Sequence, residues 1–507
     1  MRTALAPSAP SPARAARAGR GVAVAGGLEA WHFARIASGG FGDGLNSYAH
    51  SMAWFQDRLY VGTTRGNLCM LKLTGPPPHH CWPVNCPDDL YQLDRRAEIW
   101  CYDPREEAWE RVFKSPLVTG VEGREVERDI GYRGMAVFQA PGDREPCLYV
   151  NTWAPSKSGR PAVLMRSEDG RAFAPVGELA LDPGLTTFRT LLPFEGRLYT
   201  SPTGRTLGWQ GTVHRGAREN EGLPVVFETE DPGRASWRAV SEPGFGDPDN
   251  LTVFEMAAFD GHLYAGTLNP RGYQVWKTRP AGAPPYRWTR VVTAGAHRGP
   301  LNEAVVSMCV FAGALYVGGG IQNGGFDRAR GIGPAGAELI RIHPDDTWEL
   351  VVGDERTTPA GPVWPQSGFG AGFDSIFNGY FWRMEAHRGC LYLGTFNWSI
   401  MLPYLVPGRP GHEAVKLAEW LGVDHLVQFE GGCDLFRSHD GVHWAPVTTS
   451  GFGNPYNFGV RSLTGTPYGL FVGTANSFGP EVAVQTPGGW EYIRNRRGGA
   501  EVWLGRP

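Results

Sequence analysis

No stretch of the 507-residue chain approaches the ~20 consecutive apolar residues that an α-helix needs to cross a bilayer, so a membrane-spanning helix is excluded as a reading. Positive charge is not in excess either. Lys and Arg together number 48 against 51 Asp and Glu, a net charge of -3 that argues against a general nucleic-acid surface. Lysine is scarce beside arginine. Eight cysteines (Cys69, Cys81, Cys86, Cys101, Cys147, Cys309, Cys390, Cys433) fall mostly in apolar strand contexts without a paired framework. They read mostly as buried free thiols of a reducing compartment, which makes a cytoplasmic, soluble protein the expectation. Acidic residues are missing before Glu29, and residues 1–26, rich in Ala, Pro and Arg, read as a disordered leader. The run Gly21–Ala25 is too short and too weakly apolar for a signal peptide, while composition leaves a transit-like leader open.

Glycine (70), proline (41) and tryptophan (18) are abundant instead, as suits short strands, frequent turns and aromatic packing. A spaced cassette recurs among them: Gly-Phe-Gly, an Asn four residues on, then Leu-Tyr thirteen residues later. It runs Gly40-Phe41-Gly42…Asn46…Leu59-Tyr60, Gly244-Phe245-Gly246…Asn250…Leu263-Tyr264 and Gly451-Phe452-Gly453…Asn457…Leu470-Phe471. Asn302…Leu315 and Asn378…Leu391 keep the interval. With Leu148 and Leu198, seven anchors mark seven repeats, each reading as four short strands, the signature of an all-β, seven-bladed β-propeller spanning residues 27–507. Its sheet edges must be hidden by joining the chain ends. Gly498–Trp503 reads as a third strand lacking a fourth, and Phe33–Ile36 as a fourth lacking a third, so the two predict one composite blade.

Tyr102…Trp109 resembles the Tyr-x6-Trp of kelch repeats. Ser438-His439-Asp440-Gly441-Val442-His443-Trp444 and Ser167-Glu168-Asp169-Gly170-Arg171-Ala172-Phe173 are similar to the Asp-box of sialidase-like propellers, with Thr229–Gly233 a degenerate third. Both motifs are structural: the Asp side chain ties backbone amides of its own turn. As a whole the chain resembles a group of bacterial seven-bladed propellers, a resemblance that implies fold and no activity.

In a propeller the first strand of each blade lines the axis, so aligning those strands shows what shares the channel. Five residues before the strand-ending aromatic lie His50, Arg133, Arg189, Phe254, Val306, Trp382 and Arg461. A basic arc of Arg461, His50, Arg133 and Arg189 is thereby expected to face an apolar arc of Phe254, Val306 and Trp382. The next position adds Glu255 and Arg383. Converging guanidinium groups suit a carboxylate or phosphate; the structural alternative is that they bridge neighbouring blades. Asn46, Asp129, Leu185, Asn250, Asn302, Asn378 and Asn457 read as turn residues.

Insertions at about 64–96, 200–224, 319–336 and 398–431 follow second strands and are expected at the mouth where the basic arc begins. The last contains His412–Leu421, with Val415, Ala418 and Leu421 on one helical face, either a lid or a helix packed on the rim. His79, His80, Cys81 and Cys86 have soft-metal chemistry but lack the second pair of a structural zinc site, so the segment reads as an ordinary loop, and no metal is expected. Gly318–Gly325 is glycine-rich without a phosphate loop's strand-to-helix setting and reads as flexible. No motif names a cofactor.

Three functions compete. The first is a pocket for a small anionic molecule, held by Arg133, Arg189, Arg461 and Arg383 against Phe254 and Trp382 in a monomer without nucleic-acid or membrane partners. His50, Glu255 and Tyr132 are its candidate proton-transfer groups. The second is a non-catalytic scaffold presenting loops to another protein. The third is a sialidase-like glycoside hydrolase, which Thr187-Phe188-Arg189-Thr190 resembles at its entry strand but whose acid and nucleophile pair has no counterpart here.

Overall fold

The computed structural model describes residues 26–74, 81–176, 185–205, 225–234, 237–327, 330–406 and 413–507. The leader up to residue 25, His79, His80 and most of the 200–224 insertion lie outside them. The architecture is all-β, dominated by one large sheet system of antiparallel pairs. Among the described residues no helix is long and apolar enough to cross a membrane.

The described residues within Leu45–Gly75 and Cys86–Met308 form one compact unit; those within Met1–Gly44, Pro76–Asn85 and Cys309–Pro507 form a second. The first contains four antiparallel four-stranded groups. Asn46–Phe55 pairs with Arg58–Arg65, that with Glu98–Asp103, and that with Ala108–Lys114. The others begin at Gly131–Phe138, Leu185–Phe194 and Thr252–Phe259 and repeat the order. The second unit repeats it from Asn378–His387. There Gly459–Gly465 pairs with Leu470–Ala475, then with the C-terminal Val502–Gly505, whose far edge takes the N-terminal Phe33–Ala37. That pairing is the composite group expected from the chain ends.

Successive groups touch at a repeated point. The fifth residue after a Leu anchor bridges the next first strand: Thr64 to Gly131, Trp153 to Thr187, Leu268 to Ala304, Gly320 to Tyr380 and Phe396 to Gly459. In four of the five a glycine two residues earlier (Gly62, Gly266, Gly318, Gly394) lets the next strand approach, and Asn151 takes that place before Trp153. A Cβ on Gly394 would lie 2.3 Å from Val460 Cβ, and one on Gly266 2.5 Å from Val305 Cβ.

The Gly-Phe-Gly cassette is a knot that ties each group at one end. Phe245 and Phe452 adopt positive φ and stack on Trp276 and Trp503, with ring centroids 5.1 and 4.6 Å apart. Asn457 Nδ2 donates to Gly451 O (3.0 Å) and Glu501 Oε2 (2.7 Å), while its Oδ1 accepts from Asn476 Nδ2 (3.0 Å). Asn378 does the same with Gly372, Asp434 and Asn397, and Asn250 with Gly244, Gln274 and Asn269. Trp503 Nε1 and Trp100 Nε1 each donate to the acid two residues before them, Glu501 and Glu98. Asn250, Asn378 and Asn457 thus each tie a loop carbonyl to buried side chains of their own group.

The turn reading of the Asp-box-like segments agrees with their hydrogen bonds. Asp440 Oδ1 accepts from the N–H groups of Val442 and His443, and Asp169 Oδ1 from those of Arg171 and Ala172. Tyr102 lies opposite Trp109 with ring centroids 5.0 Å apart.

Two sequence expectations need correction, and a third holds with one exception. Six of the eight cysteines are free thiols, in line with the expectation for most of them, while Cys69 and Cys86 form a disulfide that was not foreseen. The two lie 17 residues apart, and the helix Asn67–Thr74, unforeseen in the insertion, brings Cys69 back to the Cys86 end of the loop. The Gly318–Gly325 run is not loose: Gly318–Gly320 ends the strand Ala314–Gly320, Gln322–Gly325 is a helical turn, and a Cβ on Gly320 would meet Gly379 O at 2.7 Å. In the fourth insertion Glu413–Leu421 is helical and Ala418 packs beside Trp398 and Leu402, but Leu421 remains 47% exposed and so does not share the buried face.

Candidate functional site

The aligned first-strand column lies at a β-bulge in each described case. Pairing skips His50 between Ala49↔Thr63 and Ser51↔Gly62, Arg133 between Tyr132↔Thr152 and Gly134↔Asn151, and Phe254 between Val253↔Thr267 and Glu255↔Gly266. It skips Arg189 with Thr190 between Phe188↔Pro202 and Leu191↔Thr200. In the second unit Trp382 and Arg461 are skipped in the same way. A residue skipped by the ladder register re-aims its side chain and bends the strand, and this skipped position is one that varies in charge from group to group.

In the first unit the four first strands run side by side. His50 is buried, and its Nδ1 lies 2.5 Å from Thr64 Oγ1, a contact that fixes the ring. Arg133 is half-buried; its Nη1 donates to Thr187 Oγ1 (3.3 Å) and its guanidinium lies 4.9 Å from the Trp153 ring centre. Arg189, also half-buried, lies 3.9 Å over the buried Phe254 ring. Glu255 is half-buried, and its Oε1 accepts the Met256 N–H at 3.2 Å.

Trp382, Arg383 and Arg461 come together in the second unit. Arg461 is buried 5.2 Å from the Trp382 ring centre, and Arg383 Nε donates to Arg461 O at 3.1 Å.

Phe254 and Trp382 each carry an arginine of the adjacent first strand on a ring face. A ring beneath a guanidinium offers its negative quadrupole and leaves the N–H edge to point elsewhere. Tyr132 does not sit with these groups. It is fully buried in a cluster with Phe55, Ile99 and Leu148, and burial pushes its hydroxyl well above the usual range, so it packs the core beside Arg133 and does not share the Arg133 surface.

Trp153, Thr187 and Thr64 were missed. Trp153 and Thr64 each stand five residues after a Leu anchor, and Thr187 is the residue bridged to Trp153, so aligning second strands as well as first strands would have singled out the tryptophan. Among the described residues no group of three or more His, Cys, Asp or Glu is arranged to hold a metal ion.

No family model matches the chain, and no curated protein does. Among solved structures, a puromycin hydrolase is similar at 10% identity and TM-score 0.43, covering 92% of this chain and 55% of that one. A puromycin-hydrolyzing peptidase of Mycobacterium tuberculosis is similar at 12% identity and TM-score 0.40, over 92% and 56%. The computationally designed Ika8 protein is similar at 8% identity and TM-score 0.37, over 94% and 100%. The chain thus spans little more than half the length of the two hydrolases.

Proposed function

We propose that the four-stranded groups are blades of a seven-bladed propeller and that the protein binds a small anionic molecule, a carboxylate or phosphate, at Arg133 and Arg189. The observation that carries the reading is that both arginines occupy bulges of adjacent first strands, each resting on an aromatic ring. A guanidinium covered on one face is held in orientation, which lowers the entropy lost when its edge meets an oxyanion. Thr187 orients Arg133 further through its hydroxyl. His50, fixed by Thr64, and Glu255 beside Phe254 are the proton-transfer groups such a site would use. Arg461, stacked in the same manner on Trp382, and Arg383, which donates to the Arg461 carbonyl, are the corresponding pair of the second unit.

Calorimetric titration of the purified protein with inorganic phosphate and with succinate tests this. Saturable binding to either, weakened at least tenfold in Arg133→Met and in Arg189→Met with little change in melting temperature, is the expected result. Equal binding by both variants and the parent, or none by any of them, overturns it.

A further inference from the structure

The hairpin Glu481–Thr486/Gly489–Arg494 stands apart from the four-stranded groups. Its register, Val482↔Ile493 and Val484↔Glu491, together with the bond from Asn495 N to Pro480 O, makes these the hydrogen-bonded pairs. The N–H and C=O groups of residues 481 and 483 therefore face one outer edge, and those of 490, 492 and 494 face the other.

The first edge is filled by the chain itself. Val84 bridges Val482, Ala483 N donates to Pro83 O (2.9 Å) and Asn85 N to Glu481 O (3.4 Å). Tyr492 OH reaches Trp82 O (3.0 Å), and the Trp490 ring stacks near Tyr404 at 5.5 Å, so one face is anchored as well. The second edge has no backbone partner among the described residues.

Natural edge strands of this kind are shortened, covered or blunted by charge. This one is six residues long and uncovered, with Ile493 47% and Tyr492 38% exposed. Its charge is one-signed at the end: Arg494 and Arg496 are exposed and form no ion pair among the described residues. An acidic strand laid along this edge would be attracted to these two arginines.

We propose that the outer edge of Gly489–Arg494 is a docking strand for an extended acidic peptide segment of a partner protein, added by β-strand pairing. Main-chain bonds to residues 490, 492 and 494 supply affinity. Apolar residues alternating with carboxylates fit beside Ile493 and toward Arg494 and Arg496. The site is independent of Arg133 and Arg189.

The probe is an acetylated, amidated hexapeptide of alternating Glu and Val, followed by fluorescence anisotropy and amide hydrogen exchange on the full chain. Expected are slowed exchange of the Trp490, Tyr492 and Arg494 amides, affinity that falls as salt rises, and a loss of tenfold or more in Arg494→Glu/Arg496→Glu. The same variant should gain affinity for the Lys/Val hexapeptide, which separates charge recognition from misfolding. Absence of peptide protection at those amides, or indifference to the charge reversal, overturns the proposal. So does protection that appears without peptide as the protein dimerises, which would assign the edge to a second copy.

Discussion

Arg189 lies over Phe254 with its guanidinium carbon 3.9 Å from the ring centre, so the two residues that varied most sharply along the aligned column are in contact. Removing the ring face while keeping volume should expose the coupling. In urea denaturation, a double-mutant cycle of Arg189→Met with Phe254→Leu is expected to show a coupling free energy of ~1 kcal/mol. A cycle that closes to within a few tenths would mean the ring only fills space.

Asn457 joins a loop carbonyl, a third-strand carboxylate and a second-strand amide, at Gly451, Glu501 and Asn476. Asn457→Ala would remove both donors and leave Glu501 buried with fewer partners, an expected cost of ~2–4 kcal/mol. Asn457→Asp should be no better, because it sets a carboxylate beside Glu501. Chemical denaturation at neutral pH measures both.

The repeat architecture was legible because spacing survives in sequence. Asn457 could be aligned with Asn250 and Asn378, and the termini could be matched as complementary strands. What the Asn column does was not legible, since its partners arrive from strands 19 and 44 residues further on. The aligned first-strand column was legible as a set of positions, whereas the contacts its side chains make were not. Alignment places Phe254 and Arg189 in one column of neighbouring strands, yet only coordinates show a long guanidinium reaching sideways onto the next ring. Cys69 and Cys86 failed for a related reason: their pairing depends on a short helix inside an insertion, where no repeat offers a template.

Gly394 has an extended conformation and no need of positive φ, so a turn argument does not explain it. Its missing Cβ makes room for Val460, whose Cβ would stand 2.3 Å away. Gly394→Ala is expected to cost ~1–3 kcal/mol by overpacking. Gly488→Ala, whose new Cβ would meet nothing nearer than Thr486 Oγ1 at 3.7 Å, serves as the tolerated control. Equal melting temperatures for the two variants would sink the close-approach explanation.

Glu385 accepts the Gly465 N–H at 2.9 Å from the adjacent strand, and burial pushes its carboxyl up to about 7. Cys309, His387 and Arg388 are the neighbouring titratable groups, and the Gly465 N–H is the donor packed against the carboxylate from across the strands. A carboxyl whose folded value is raised binds its proton more tightly when folded, so its contribution to stability is full below about 4.5, falls as the pH rises, and is gone by about 7. The span corresponds to at most ~3 kcal/mol. His387, held below its ordinary value by burial and then by Arg388, acts in the opposite sense and favours unfolding as the pH drops below about 6.5. Glu385→Gln keeps an acceptor for Gly465 and removes the titration. Relative to the parent it should become more stable between pH 5 and 8, with the difference growing across that window and level above it. A parent and variant whose urea midpoints stay parallel from pH 5 to 8 would show that Glu385 ionises without penalty, and that water reaches the seam between its strand and that of Gly465.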